Sequence, residues 1–175
     1  MEDITKIVIS IVAILIVILI IAFALYLSHF DKKVNSIEES IDINISKRYD
    51  LLVKIRQNLT NNGIDPQLLN TMFLGVKKDF NTTNIVLFDL KGKSMLSSQM
   101  STVIRNLSTL PESFPQLKSD PKYAELVVAL KECEDDYRKV YLVFTDEAKH
   151  LNNLIKNPLG KVLAKILRIK RRLVN

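Results

Sequence analysis

Little in this chain of 175 residues is equipped for chemistry. It has one Cys, which leaves no disulfide framework and no cysteine-based zinc site. Two His exclude a histidine-rich metal cluster. There is no Trp, and four Gly with five Pro leave room for few turns. What is abundant is apolar: 47% hydrophobic against 25% charged residues, a balance that is neither disordered nor collagen-like. The length suits one compact domain of ordinary size. These counts point to a helical protein that is not an enzyme and holds no cofactor or metal.

The net charge of +6 raises the question of nucleic acid. Residues 1–33 set Glu2, Asp3 and Asp31 against Lys6, Lys32 and Lys33, which cancels. Between 34 and 158, 16 basic residues meet 16 acidic ones. The whole excess lies in the tail, in Lys161, Lys165, Arg168, Lys170, Arg171 and Arg172. A nucleic-acid binder spreads its basic residues over a face of the folded domain, so no nucleic-acid partner is expected.

Ile7–Leu27 is apolar apart from Ser10 and Tyr26. At 1.5 Å per residue it covers about 31 Å, matching the hydrocarbon thickness of a bilayer. It lacks the polar stripe of a core helix and the short apolar region and cleavage site of a signal peptide. A retained single-pass anchor in the plasma membrane follows. Lys32 and Lys33 after the run outweigh Lys6 before it, which predicts an outside N-terminus and a cytoplasmic domain.

Beyond the anchor, helical spacing dominates. Val34, Ile37, Ile41, Ile45, Leu52, Ile55 and Leu59 share one face with Tyr49 beside them, and Glu39, Lys47, Arg48 and Lys54 lie opposite. No Gly or Pro interrupts the chain from Ile7 to Asn62, so one helix is expected to run straight on from the anchor until Gly63 stops it. Asp65-Pro66 reads as a cap and first turn, with Leu69, Met72, Phe73, Val76 and Phe80 continuing that helix. After the breaker Asn81–Asn84, Ile85–Phe88 is a strand or a packed loop. Leu96, Met100, Val103, Ile104 and Leu107 form a further stripe, expected to stop before Pro111. Asp120-Pro121 starts the longest one, from Tyr123 through Leu130, Cys133, Tyr137 and Phe144 to Ile155, about ten turns.

The expected fold is therefore all-α. A short N-terminal segment (1–6) and a transmembrane helix (7–27) precede an antiparallel four-helix bundle (28–158) and a basic amphipathic tail (159–175).

Several constellations invite a chemical reading. Glu147 and His150 have the Glu-x-x-His spacing of di-iron bundles, but a second pair is missing and both sit off the apolar seam. Cys133 lies on the seam as a small hydrophobe, with no His near in sequence to activate it. Glu132, Glu134, Asp135 and Asp136 read as a solvated acidic face. Asn58, Asn81 and Asn106 head glycosylation triplets, which matter only in a secretory compartment. In the tail, Leu159, Val162, Leu163, Ile166, Leu167, Ile169, Leu173 and Val174 oppose Lys161, Lys165, Arg168, Arg171 and Arg172. Such a helix either contacts anionic lipid through those five basic residues or packs its apolar side on the bundle.

The order of parts resembles the LemA family of bacterial membrane proteins. The resemblance rests on Lys47-Arg48-Tyr49-Asp50-Leu51-Leu52 after the anchor and on the turn Phe114-Pro115-Gln116-Leu117-Lys118. Leu126, Leu130, Glu132 and Glu134 follow that turn, and Asn152, Ile155 and Pro158 fit the closing segment. It covers Ile7 to about Ala164, with residues 60–109 matching in pattern only. The chain departs from the family at Phe144-Thr145 and Leu151-Asn152, where aromatic-Asn pairs are usual, and at Tyr141, where an Arg is common. The resemblance implies a membrane-anchored antiparallel bundle and no catalytic residues. The expected role is an interaction or scaffold module at the membrane, with Lys47, Arg48 and Asp50 as the candidate surface for an unknown protein partner. A local structural role for Arg48 and Asp50 is the other reading of the same residues. A transmembrane signalling component is the alternative function, and no small-molecule substrate is evident.

Overall fold

The computed structural model describes residues 2–77 and 90–172, without the side chains of Glu2, Lys77 and Leu90. Its helices are α1 (Glu2–Asn61), α2 (Pro66–Met72), α3 (Leu74–Lys77), α4 (Leu90–Ser113), α5 (Pro121–Lys156) and α6 (Pro158–Ile166), with a 3-10 helix at Pro115–Ser119. No strand occurs among the described residues, so the fold is all-α. Phe80, the breaker Asn81–Asn84 and the run Ile85–Phe88 lie outside them.

Helix α1 is 60 residues long, as the missing Gly and Pro require. Its first third is uncovered, with apolar side chains from Ile4 to Ile21 exposed, and it is long and apolar enough to cross a membrane. The Ser10 hydroxyl donates to the Lys6 carbonyl at 2.9 Å, so the helix satisfies its own polar side chain there. At the other end Gly63 takes φ 75°, the left-handed region that a side chain resists. The Gly63 N–H then reaches the Thr60 carbonyl and the Ile64 N–H the Leu59 carbonyl, closing two otherwise orphaned acceptors.

The chain divides into two compact units, Ile37–Val143 and Met1–Ser36 with Phe144–Asn175. Within the first, Lys93 of α4 meets Glu38 and Asp42, while Ser97 meets Arg48, so α4 runs parallel to α1. Asp120 meets Asn58 and Glu134 meets Arg48, so α5 runs antiparallel to α1. The apolar stripes turn inward as their spacing demands: Ile41, Ile45, Leu52, Ile55 and Leu59 are buried, as are Leu96, Met100, Val103, Ile104 and Leu107.

Two helix boundaries differ from expectation. The helix begun by Asp65, whose carboxylate accepts from the Gln67 N–H at 2.9 Å, is broken at Phe73. There the ladder tightens to an i→i+3 bond from the Val76 N–H to the Phe73 carbonyl, with the poor helix former Gly75 alongside. Phe73 and Val76 are both buried. Helix α4 does not stop before Pro111 but runs through it to Ser113. Proline cannot donate to the carbonyl four residues back, which is Leu107. The Tyr123 hydroxyl donates to that carbonyl at 2.5 Å and takes the place of the missing N–H.

In the second unit, Phe30 of α1 packs against His150 of α5 (ring centroids 4.9 Å apart) and Lys33 pairs with Glu147 at 2.6 Å. Later residues of α1 meet earlier ones of α5, so the two run antiparallel here as well. Leu27, Val34, Phe144, Ala148, Leu151 and Ile155 are buried. A Cβ on Gly160 would lie 2.0 Å from the Leu154 carbonyl oxygen, so only glycine permits the sharp turn from α5 into α6.

The tail is not one continuous helix to the C-terminus: α6 ends at Ile166. Arg168 takes φ 58°, and the Ile169 N–H closes on the Ala164 carbonyl at 2.8 Å. Beyond this cap Asn152 clamps Arg172 at its backbone, donating to its carbonyl at 2.8 Å and accepting from its N–H at 3.0 Å.

Candidate functional site

The polar centre of the Ile37–Val143 unit is built on α1, α4 and α5, in the seam where apolar residues are expected. Along α1 the buried positions 41, 45, 48, 52, 55 and 59 follow the 3-and-4 spacing of an inward face, and Arg48 is one of them. Its side chain is fully buried. This corrects the placement of Arg48 on the outer face with Lys47 and Lys54. On α5 the same spacing brings Glu134 inward, while Glu132, Asp135 and Asp136 of the acidic run stay outside the core.

Arg48 and Glu134 form an ion pair across the two helices. Ser97 and Ser101 of α4 complete the cage. The guanidinium donates to the Ser97 hydroxyl at 2.8 Å, the Ser97 carbonyl at 3.3 Å and the Ser101 hydroxyl at 3.1 Å. Ser101 in turn donates to Glu134 at 2.8 Å. The guanidinium carbon lies 4.7 Å from the centre of the Tyr137 ring, a cation–π contact. Burial pulls the Arg48 pKa down from its ordinary value, and the Glu134 charge pushes it back. An isolated buried charge is far too costly to keep, so Arg48 depends on Glu134, which the exposed Arg138 of the same helix also approaches at 3.4 Å.

Nearer the start of the unit, Lys93 makes a second buried cluster with α1, 3.2 Å from Glu38 and 2.7 Å from Asp42. Burial raises the Asp42 pKa, against the opposing pull of Lys93. Sequence reasoning passes over Lys93 because it follows Lys91-Gly92, which resemble the end of an element but lie inside α4.

Lys47 and Asp50 are on the outer side of α1, clear of the core. Cys133 is half-buried, its thiol 3.8 Å from the Asn44 carbonyl, and burial raises its pKa away from the reactive thiolate. Glu147 is engaged by Lys33 and His150 by Phe30. Among the described residues no group of three His, Cys, Asp or Glu converges on a metal-sized site. Asn58 is buried and donates to Asp120 at 3.0 Å, so the first glycosylation triplet is occupied by packing. Of the five basic tail residues, Lys161, Lys165, Arg168 and Arg171 are exposed. Arg172 is half-buried on Asp31, at 3.3 Å, and on Asn35, which removes it from the lipid-facing set.

What this site does chemically is hold three helices in one register. Its charges are paired, and burial raises the Tyr137 pKa against a hydrogen bond with Ser97 that lowers it.

The chain belongs to the LemA family: the family model matches residues 37–174. No curated protein and no solved structure matches it.

Proposed function

We propose that this LemA-family chain is a non-enzymatic docking module held at the membrane by the apolar part of α1. The observation that carries this reading is the engagement of its candidate reactive groups. Arg48, Glu134 and Lys93 are consumed in buried pairs, Glu147 and His150 are held against α1, and the Cys133 thiol is pushed towards its neutral form. The uncovered apolar stretch from Ile4 to Ile21 supports the anchor. In this reading α2 and α3, with Leu69, Phe73 and Val76 buried, supply the returning leg of an antiparallel four-helix bundle with α1, α4 and α5.

The surface offered to a protein partner is the outer side of α1 at Lys47 and Asp50. Reversing both charges (Lys47→Glu with Asp50→Lys) tests it in the full chain. The reading expects loss of co-purifying partner with unchanged helicity and melting; retention of every partner sinks this surface. The excess of Lys32 and Lys33 over Lys6 favours a cytoplasmic domain. Labelling of Asn175→Cys, in a Cys133→Ser background, by an impermeant thiol reagent only after lysis agrees with that side. Labelling in intact cells reverses it.

A second reading, a transmembrane signalling component, is favoured by the unbroken course of α1 from Glu2 to Asn61. Proline at Ser36 breaks that helix without touching the apolar run. Signalling requires loss of phenotype while membrane retention persists.

A further inference from the structure

Helix α6 is three-sided. Gly160, Leu163 and Ala164 are buried. Leu159, Val162 and Ile166 are exposed at 45%, 58% and 69%. At 100° per residue these three fall within about a 60° arc, centred about 120° from the middle of the buried side. Lys161 and Lys165 are exposed on the third side, and Arg168 follows at the cap. An apolar stripe left open beside a basic one is unexplained by packing within the protein.

The height of α6 along α1 explains it. His150 is level with Phe30, and the two helices are antiparallel. Six residues beyond His150 is Lys156, the end of α5. Six residues before Phe30 is Ala24, inside the apolar run. Burial along α1 agrees: side chains are exposed up to Ala22, Phe23 and Ala24 are half-covered, and Leu27 is fully buried. The turn into α6 therefore comes where the run first gains protein cover, and Tyr26, an interface-favouring aromatic, lies close to the same level. Arg172, paired with Asp31 and clamped by Asn152, ties the segment after α6 to this end of the unit too.

We propose that α6 is an interfacial lipid-binding helix. Leu159, Val162 and Ile166 insert at the boundary of the acyl chains, and Lys161, Lys165 and Arg168 bind the phosphates of anionic glycerophospholipids. The inference rests on the anchor reading above and adds the ligand and the residues that hold it. It also sets the fully lipid-embedded part of α1 at Ala22 and before, with protein covering one side from Phe23 onward.

The absence of Trp makes the test direct. Single substitutions Leu15→Trp, Val162→Trp, Ile166→Trp and Val128→Trp are placed in the full chain, all at exposed positions. Each protein is reconstituted into vesicles of phosphatidylcholine alone or of equal parts phosphatidylcholine and phosphatidylglycerol, with brominated acyl chains as quencher. The indole at position 15 is expected to be quenched in both. Those at positions 162 and 166 are expected to be blue-shifted and quenched about twofold more than the one at 128 when phosphatidylglycerol is present. Adding Lys161→Gln and Lys165→Gln to Val162→Trp should return its emission to the level in phosphatidylcholine alone. Indoles at 162 and 166 that emit like the one at 128, while position 15 is quenched, overturn the interfacial helix and leave the anchor standing. Equal quenching in both vesicles overturns the recognition of anionic headgroups. An unquenched indole at position 15 overturns the anchor itself, and this inference with it.

Discussion

Tyr123 donates its hydroxyl to the carbonyl of Leu107, the acceptor that Pro111 cannot serve. The bond crosses from α5 to α4 and lets α4 continue to Ser113, so a proline that should end a helix is carried inside it. Burial pushes the Tyr123 pKa up to about 12, which keeps the donor protonated.

Tyr123→Phe leaves the Leu107 carbonyl buried without a donor and should cost about 1–3 kcal/mol. Urea unfolding of the full chain in detergent measures this. Adding Pro111→Ala restores an N–H four residues on and should recover much of the loss. A double variant no more stable than Tyr123→Phe alone would disprove the substitution of one donor for the other.

Glu134→Ala strands the fully buried Arg48 charge and should destabilise the fold by about 3–5 kcal/mol, whereas Arg48→Ala leaves Glu134 with the exposed Arg138, 3.4 Å away, and should cost less. Making the same two substitutions together, Arg48→Ala with Glu134→Ala, should cost less than the sum of the two. A double-mutant cycle reads the coupling; additive losses would mean that the pair is not a pair.

Acid stability should depend on two carboxylates of opposite sense. Asp120 accepts from Asn58 and Asn62 and from the first N–H groups of α5, which lowers its pKa below the ordinary 3.8. Its contribution is present above 3.8 and lost as pH falls through the lowered value. Asp42, raised by burial, contributes below 3.8 and loses that contribution as pH rises through its higher value. Melting temperature followed between about pH 6 and 2 should fall less steeply with acid in Asp120→Asn and more steeply in Asp42→Asn. The reverse order would contradict both assignments.

Gly160→Ala places a methyl group against the Leu154 carbonyl, where backbone cannot yield cheaply. A loss of about 1–3 kcal/mol is expected, with faster proteolysis around Asn157-Pro158. Unchanged melting and cleavage would show that the turn accommodates a side chain.

What can be read from the sequence is local. Asp65, Asp120 and Gly63 cap their helices because a cap is decided within four residues. The 60-residue helix follows from what the segment lacks. Arg48 and Glu134 escape such a reading because polarity is a poor guide to facing when two charges can satisfy each other inside. Yet the stripe skips from Ile45 to Leu52, and position 48 fills that gap by spacing, as 134 does between 130 and 137. A charge in the one interrupted seam, with an opposite charge beside Cys133 on the other, is the available signal. The passage of α4 through Pro111 and the docking of Arg172 on Asp31 have none, since their partners lie 16 and 141 residues apart in sequence.

The caged Arg48–Glu134 pair also bears on how the chain can change over generations. A lineage that loses Glu134 first must survive with Arg48 stranded, a deficit comparable to much of the total stability of an ordinary domain. Positions 48 and 134 should therefore be inherited and replaced jointly.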